Sequence, residues 1–476
     1  MTTANYYQFI HGQLLENADR EVLAWPESGG GRTYVTTDIL NRVAAIRAKL
    51  TRQCVQPGDQ VLLAIPVSFD LICSLLAIMA AGAIPVLPPA AASGRVLVAL
   101  VHRDAIRTVI TRRALPGWVR WAARGFGVTL LTVDSTPVTG PYLPPQPVDP
   151  NQPALISHSS GSTGLPKAIR RSHRVLTAQH LALSQSFPPW SGQRDFPLFP
   201  NILLHNLATG TMSVLPDLPG FSLAKINPKQ VVQQLVDQQV NTLTGNVYYF
   251  RRLLRYLANY PQSFPQVQAV GVGGSPVPEG LVQALKTIFS AADIYIIYGS
   301  SEAEPIAIRK VGSDAVDLSA GYVVGAVHSA IQVRFRPVGT LTFMDGRTQP
   351  VGEIEVRGAH VAVENDAWLP TGDYGYLTDS QQLVLTARAG NEQISNGVQH
   401  YQIEQILSDI AGIDRVAARA TDGGFIIFVE GNAPETEIRQ VLSAQFPVGL
   451  CPRIEYRKKL PVDARHLSKI RYDQLT

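Results

Sequence analysis

The chain has 476 residues, 45% of them hydrophobic and 16% charged, with a net charge of +4. That length exceeds one hydrophobic core and predicts about two to four domains or subdomains of a globular protein. The scattered basic residues speak against a nucleic-acid partner, and Cys54, Cys73 and Cys451, with no C-x-x-C spacing, exclude a zinc ribbon and a disulfide framework.

The opening MTTANYYQFIHGQ has neither a basic nor a strongly apolar segment, so no secretory signal is read and a cytoplasmic location is expected. RTYV reads as a strand, after which Thr36-Thr37-Asp38 should cap a helix with Ile39, Val43, Ala44 and Ile46 on its apolar side. From Val61 to Ala92 the chain is apolar enough to suggest a bilayer span. Pro66, Asp70 and Pro85 interrupt it, however, and it parses better as strand VLLAI, helix DLICSLLAIMAAG and strand IPVL. That is a βαβ unit of an α/β core, so no membrane span is expected. A Pro-rich connection, residues 136–153, follows.

The most informative stretch comes next: Ser159-Ser160-Gly161-Ser162-Thr163-Gly164-Leu165-Pro166-Lys167, after the strand-like Ala154-Leu155-Ile156. Gly permits close backbone approach, hydroxyls and amides donate to anionic oxygens, and Lys adds a point charge, which together suit a polyphosphate. A P-loop would place Lys directly after the second Gly and a hydroxyl after that. Here two residues separate Gly164 from Lys167, and Ala168 follows, so the P-loop reading fails.

Beyond the loop, residues 172–186 have a helical pattern, and the proline-bounded run DFPLFPNILLHNLATGTMSVLPDLP contains His205 and Asn206. QAVGVGGSPVPEGL (268–281) reads as a strand, a Gly-rich turn and a helix. Ile294 to Ile297 reads as a strand leading into Tyr298-Gly299-Ser300-Ser301-Glu302. Thr371-Gly372-Asp373 follows V-G-E-I-E-V-R-G, and Arg388 and Lys469 come later.

In this order the stretches resemble the adenylate-forming superfamily, which comprises acyl-CoA synthetases, peptide-synthetase adenylation domains and firefly luciferase. The superfamily's loop [S/T]-[S/T]-G-[S/T]-[S/T]-G-x-P-K-G is matched except at Ala168. The wording F-P-L-F, V-L-P-D and E-A-x-P is nearest to olefin β-lactone synthetases and related fatty-acyl adenylating enzymes. The resemblance implies an α/β fold with a large N-terminal domain of layered α/β subdomains (1–387). A small, shortened, mobile α+β C-terminal domain (388–476) would follow.

It also implies site roles. Ser159, Ser160, Gly161, Ser162, Thr163, Gly164 and Lys167 would hold the ATP phosphates, and Gly273, Gly274 and Ser275 would lie along the adenine. Tyr298 would stack on that base, as an aromatic face suits a purine, with Gly299 and Ser301 beside the phosphate. Glu302 would be the Mg²⁺ ligand, a hard oxygen for a hard cation. Asp373 would take the ribose hydroxyls, and Arg388 the ribose or phosphate. Thr163, Glu302 and Lys469 would carry catalysis. His205 and Asn206, with Gly274 and Ser300, would line the substrate pocket, His205 as its gate; a core His with a satisfied ring is the equal alternative.

Departures concentrate near the tail. Ala387 stands where the family has Gly, Gly390 occupies the hinge, and Ser468 precedes Lys469 in place of Gly. Gln399 and Glu404 fall at the family's spacing. The implied reaction is ATP-dependent activation of a carboxylic acid to acyl-AMP with release of pyrophosphate, then transfer to CoA or to an acyl or peptidyl carrier protein. Closure of a β-hydroxyacyl adenylate to a β-lactone, or stand-alone adenylation of an amino acid, is the alternative. The F-D-x-S that pairs an α-amino group is missing, and a buried unpaired ammonium costs several kcal/mol, so fatty or 3-hydroxy acids are preferred to amino acids. Retention of Lys469 and Glu302 weighs against a non-enzymatic nucleotide-binding scaffold.

Overall fold

The computed structural model describes residues 4–26, 31–89, 92–133, 142–159, 167–313, 316–421, 423–446, 450, 452–463 and 467–475. Contacts divide the chain into two compact units, residues 1–225 and 226–476. The boundary expected near residue 388 falls inside the second.

In the first unit a six-stranded sheet runs in the spatial order Thr129–Thr132, Thr108–Thr111, Gln60–Ala64, Ile84–Leu87, Pro153–Ser159, Lys167–Ser172. Neighbours are parallel except for the last pair. Strands such as Val61-Leu62-Leu63 are apolar without alternation because helices cover both faces of a parallel sheet. The predicted βαβ unit is present: helix Phe69–Ala80 connects Gln60–Ala64 to Ile84–Leu87. Its sequence is apolar nearly all round because it is enclosed nearly all round. Ser68 starts it, its Oγ accepting from the Leu71 amide at 3.2 Å.

Helix Thr36–Arg52 begins differently from the sequence expectation. Thr36 is already helical and its hydroxyl is committed to the Asn17 carbonyl at 2.8 Å. The capping is done by Asp38, whose carboxylate accepts from the Val35 amide at 3.0 Å. Helix His173–Ser186 fills the stretch with the helical pattern, and Ser172 caps it, its Oγ accepting from the Val175 amide at 3.2 Å. A second set of strands has the order Arg194–Pro197, Met212–Val214, Glu21–Trp25, Arg32–Val35.

The second unit opens with three parallel strands, Thr242–Asn246, Ala269–Gly273 and Asp293–Ser300. Antiparallel strands continue the sheet through Ala303–Lys310, Tyr322–Val327, Gln382–Arg388, Leu369–Leu377, Thr348–Gly358 and Ile331–Thr342. The C-terminal part carries a small sheet of Ile413–Thr421, Gly424–Gly431 and Arg453–Tyr456, with helices His400–Leu407 and Glu435–Gln445. Ile403, Leu407, Phe425, Ile427, Ile438 and Leu442 form its core. Among the described residues no helix is long and apolar enough to cross a membrane.

Candidate functional site

Two sheet features converge on one carboxylate. Parallel strands Ala269–Gly273 and Asp293–Ser300 are in register with Gly273 opposite Ile297, so the second runs on past the carboxyl end of the first and carries Tyr298 there. Ligands of open α/β sheets bind beyond such ends. Farther along, Leu369–Leu377 and Gln382–Arg388 are antiparallel with Asp373 directly opposite Arg388. The Tyr298 hydroxyl donates to Asp373 Oδ2 at 2.8 Å, and Arg388 Nη1 donates to Oδ1 at 2.6 Å. The Asp373 amide is held by Thr371 Oγ1 at 3.1 Å, which fixes the turn carrying the carboxylate.

Burial, then the Asp373 charge, push the Tyr298 phenol far above its ordinary range, so it remains a donor. Asp373 is also the main cause that holds the Arg388 guanidinium above its already high value. An ionised carboxylate offers about four acceptor positions. Tyr298 and Arg388 take one on each oxygen, leaving acceptor capacity for a vicinal diol.

The remaining sequence candidates are placed as follows. Gly273 closes its strand, Gly274 follows it, and the Ser275 Oγ is buried without a hydrogen-bond partner among the described residues. Gly299 lies where the chain doubles back, and a Cβ there would stand 2.8 Å from the Ala303 carbonyl oxygen. Ser300 pairs with Ala303, so Ser301 and Glu302 form the turn of a hairpin. The Ser300 Oγ accepts from the Glu302 amide at 3.3 Å.

In the first unit Ser159 and Lys167 are opposed partners of an antiparallel pair. Ser160, Gly161, Ser162, Thr163 and Gly164 lie outside the described residues. His205 Nδ1 is 3.1 Å from His180 Nδ1, and burial followed by the His180 charge lowers its pKa to about 3. Asn206 is buried, and its Nδ2 donates to Asp195 Oδ2 at 2.8 Å and Ser213 Oγ at 3.0 Å. Both its amide hydrogens therefore serve the fold, and only its oxygen remains for a pocket.

Lys469 is half-buried in a loop that Asp463 closes. The Asp463 amide donates to the Lys469 carbonyl at 2.9 Å, and the Lys469 amide to Asp463 Oδ1 at 3.3 Å. Gly390 has φ +89°, a conformation that glycine adopts without strain.

The sequence reading picked out Glu404 by spacing but missed the support that it gives Arg388 through His400. The Arg388 amide donates to His400 Nε2 at 3.0 Å, so the proton of the neutral ring sits on Nδ1, which faces Glu404 Oε1 at 3.0 Å. Tyr472 donates to the same carboxylate at 2.9 Å, and the Ala418 amide donates to Oε1 at 2.9 Å. The i,i+4 spacing of His400 and Glu404 is a local signal for that pair; nothing local points to Tyr472.

Residues 11–363 match the AMP-binding enzyme family. The chain belongs to that family of adenylate-forming enzymes. It is 26% identical over 368 residues to the olefin beta-lactone synthetase of Stenotrophomonas maltophilia, a match covering 68% of this chain and 66% of that enzyme. It is likewise 26% identical over 415 residues to the 4-chlorobenzoate–CoA ligase of an Arthrobacter species, covering 80% and 76%. The fold is shared with the O-succinylbenzoate coenzyme A synthetase of Bacillus subtilis in complex with AMP. The TM-score is 0.77 at 16% identity, over 100% of this chain and 98% of that one. This adenylate-forming ligase thus has the α/β architecture expected of it, a large N-terminal part and a C-terminal domain with a small sheet.

Proposed function

We propose that this adenylate-forming enzyme activates a fatty or 3-hydroxy acyl acid with ATP, giving acyl-AMP and pyrophosphate, and passes the acyl group to CoA or a carrier-protein thiol. The observation that carries the nucleotide part is the Tyr298–Asp373–Arg388 cluster, which joins the end of strand Asp293–Ser300 to the antiparallel pair Leu369–Leu377 and Gln382–Arg388. The fit is good: Asp373 retains acceptor capacity for a ribose, and Ser275 offers a buried hydroxyl without a partner among the described residues. Gly273 and Gly274 are assigned to the adenine, and Ser159 to Lys167 to the phosphates. Glu302 would hold Mg²⁺, which neutralises phosphate charge when bound. A synthetase structure similar in fold was determined with ATP and a magnesium ion.

Lys469 is assigned the bridge between substrate carboxylate and α-phosphate, stabilising charge as it moves to the leaving group. Residues 388–476 are assigned as the lid, with Gly390 as hinge, and the enzyme is assigned to the cytoplasm. The substrate class rests on the missing F-D-x-S and on the apolar run through Leu203 and Leu204.

The similarity to the olefin beta-lactone synthetase favours a second reading, in which the adenylate of a 3-hydroxy acid closes on its own hydroxyl. Incubation with an acid library, ATP and Mg²⁺, with and without CoA, followed by pyrophosphate assay and product masses, tests both. A CoA thioester supports the first, a CoA-independent loss of AMP with a cyclic product supports the second, and turnover of amino acids alone overturns both.

A further inference from the structure

The six-stranded sheet ends at Thr129–Thr132, and helix Gly117–Gly125 packs against this last strand without a single fully buried residue. Val119, Ala122 and Ala123 are its half-buried side. At 100° per residue, Trp118, Trp121, Arg120 and Arg124 share the outer side. Trp118 is 74% exposed and Trp121 80%, and Phe126, directly after the helix, is 73% exposed. The Phe126 ring meets His102 edge-on at 5.8 Å, which joins this surface to the end of helix Gly94–Arg103. Scattered exposed apolar residues are ordinary, but large aromatics clustered on one face mark an interaction surface.

The charge of this region is as unusual as its aromatics. Between Gly94 and Val133 there are seven Arg and one Asp, a net +6 in a chain whose total is +4. The acid, Asp104, is turned inward and paired with Arg103 at 2.8 Å. Arg95, Arg107, Arg112, Arg113, Arg120 and Arg124 are exposed, and none has an ion-pair partner among the described residues.

We propose that this face docks the enzyme on the anionic surface of a lipid bilayer. Indole and phenyl rings settle at the headgroup level, while arginines beside them meet lipid phosphates, the arrangement of interfacial amphipathic helices. The two indoles project from the outside of a surface helix instead of lining a groove, which suits a fluid interface better than a folded partner. The inference is independent of the catalytic assignments, since no residue of this face belongs to them.

Flotation of the full chain with vesicles tests it, using phosphatidylcholine alone and phosphatidylcholine mixed equally with phosphatidylglycerol. The chain should float with the anionic vesicles only, less at high salt, with a blue shift of tryptophan emission. Arg120→Gln with Arg124→Gln should weaken the partition roughly 25-fold, from the attraction typical of a basic residue near such a surface. Trp118→Ala with Trp121→Ala should remove the blue shift, and both variants should keep ATP–pyrophosphate exchange in solution. Equal flotation with both vesicle types, flotation with neither, or variants that partition like the parent would overturn the proposal. So would capture of an acidic carrier protein by this face without vesicle binding.

Discussion

Arg388 grips Asp373 through its side chain at 2.6 Å, while its own amide is held by His400 at 3.0 Å. Strand register brings the first pair together, because Asp373 and Arg388 are direct cross-strand neighbours. The helix that follows Gly390 supplies the second contact. The Asp373 carboxylate is thereby connected to the C-terminal domain through a continuous chain: Tyr298, Asp373, Arg388, His400, Glu404 and Tyr472.

Replacing Asp373 by Ala should weaken ATP binding by about 10- to 100-fold, since a hydrogen bond to a charged group contributes roughly 1.5–3 kcal/mol. Titration calorimetry with ATP and Mg²⁺ measures this. Unchanged affinity would remove Asp373 from the ribose assignment.

Glu404 accepts from the Ala418 amide, His400 and Tyr472 in a buried setting. Glu404→Ala leaves these donors without that acceptor and should lower unfolding stability by at least about 3 kcal/mol, whereas Tyr472→Phe should lower it by about 1 kcal/mol. Urea denaturation of the two variants gives the comparison; equal losses would mean that the carboxylate is not the hub of this network.

The first unit should lose stability in mild acid. Burial lowers the His173 pKa to about 4, and its Nδ1 accepts from the Tyr6 amide at 3.0 Å, a bond that protonation would break. His205 is lowered to about 3, by burial first and then by His180. A folded pKa below the unfolded value means that the unfolded chain binds the proton first. The stabilisation is therefore complete above pH ~6.5 and falls by about 1.4 kcal/mol per pH unit for each imidazole down to its folded pKa. Urea midpoints at neutral pH and at about pH 5 should differ accordingly, and His173→Gln should reduce the difference. A slope unchanged by that substitution would discount His173.

Lys469→Ala should abolish acyl-AMP formation, because a cation at the α-phosphate in a water-poor site supplies several kcal/mol of transition-state stabilisation. The same variant should still consume synthetic acyl-AMP if the lid turns about Gly390 between the two steps. Loss of both activities would show one arrangement serving both, and retention of adenylate formation would release Lys469 from its assigned role.

Much of this was legible in the residues themselves. Apolar runs punctuated by Pro and Gly were sufficient for the strand–helix–strand unit from Gln60 to Leu87, because burial on both faces demands continuous hydrophobicity. The order of the Ser/Gly/Lys loop, Tyr298-Gly299-Ser300, Thr371-Gly372-Asp373 and Lys469 was enough to indicate the family, since each is a short element with its own chemistry. The capping of helix Thr36–Arg52 was read less well, because Thr36 was already committed to Asn17 across the fold.

Tertiary structure alone decided which groups meet. Tyr298 and Asp373 are 75 residues apart, Tyr472 and Glu404 are 68 apart, and His205 finds His180 across two helices. No local pattern encodes such pairs, because they depend on strand register and on which faces are buried together. The arginines from Arg95 to Arg124 look scattered along the chain; the fold leaves them exposed and sets Arg120 and Arg124 on the outer side of one helix with Trp118 and Trp121. Sequence determined the chemistry each short element could perform, and folding determined its partners, since hydrogen bonds and charges act over a few ångströms of space whatever their distance along the chain.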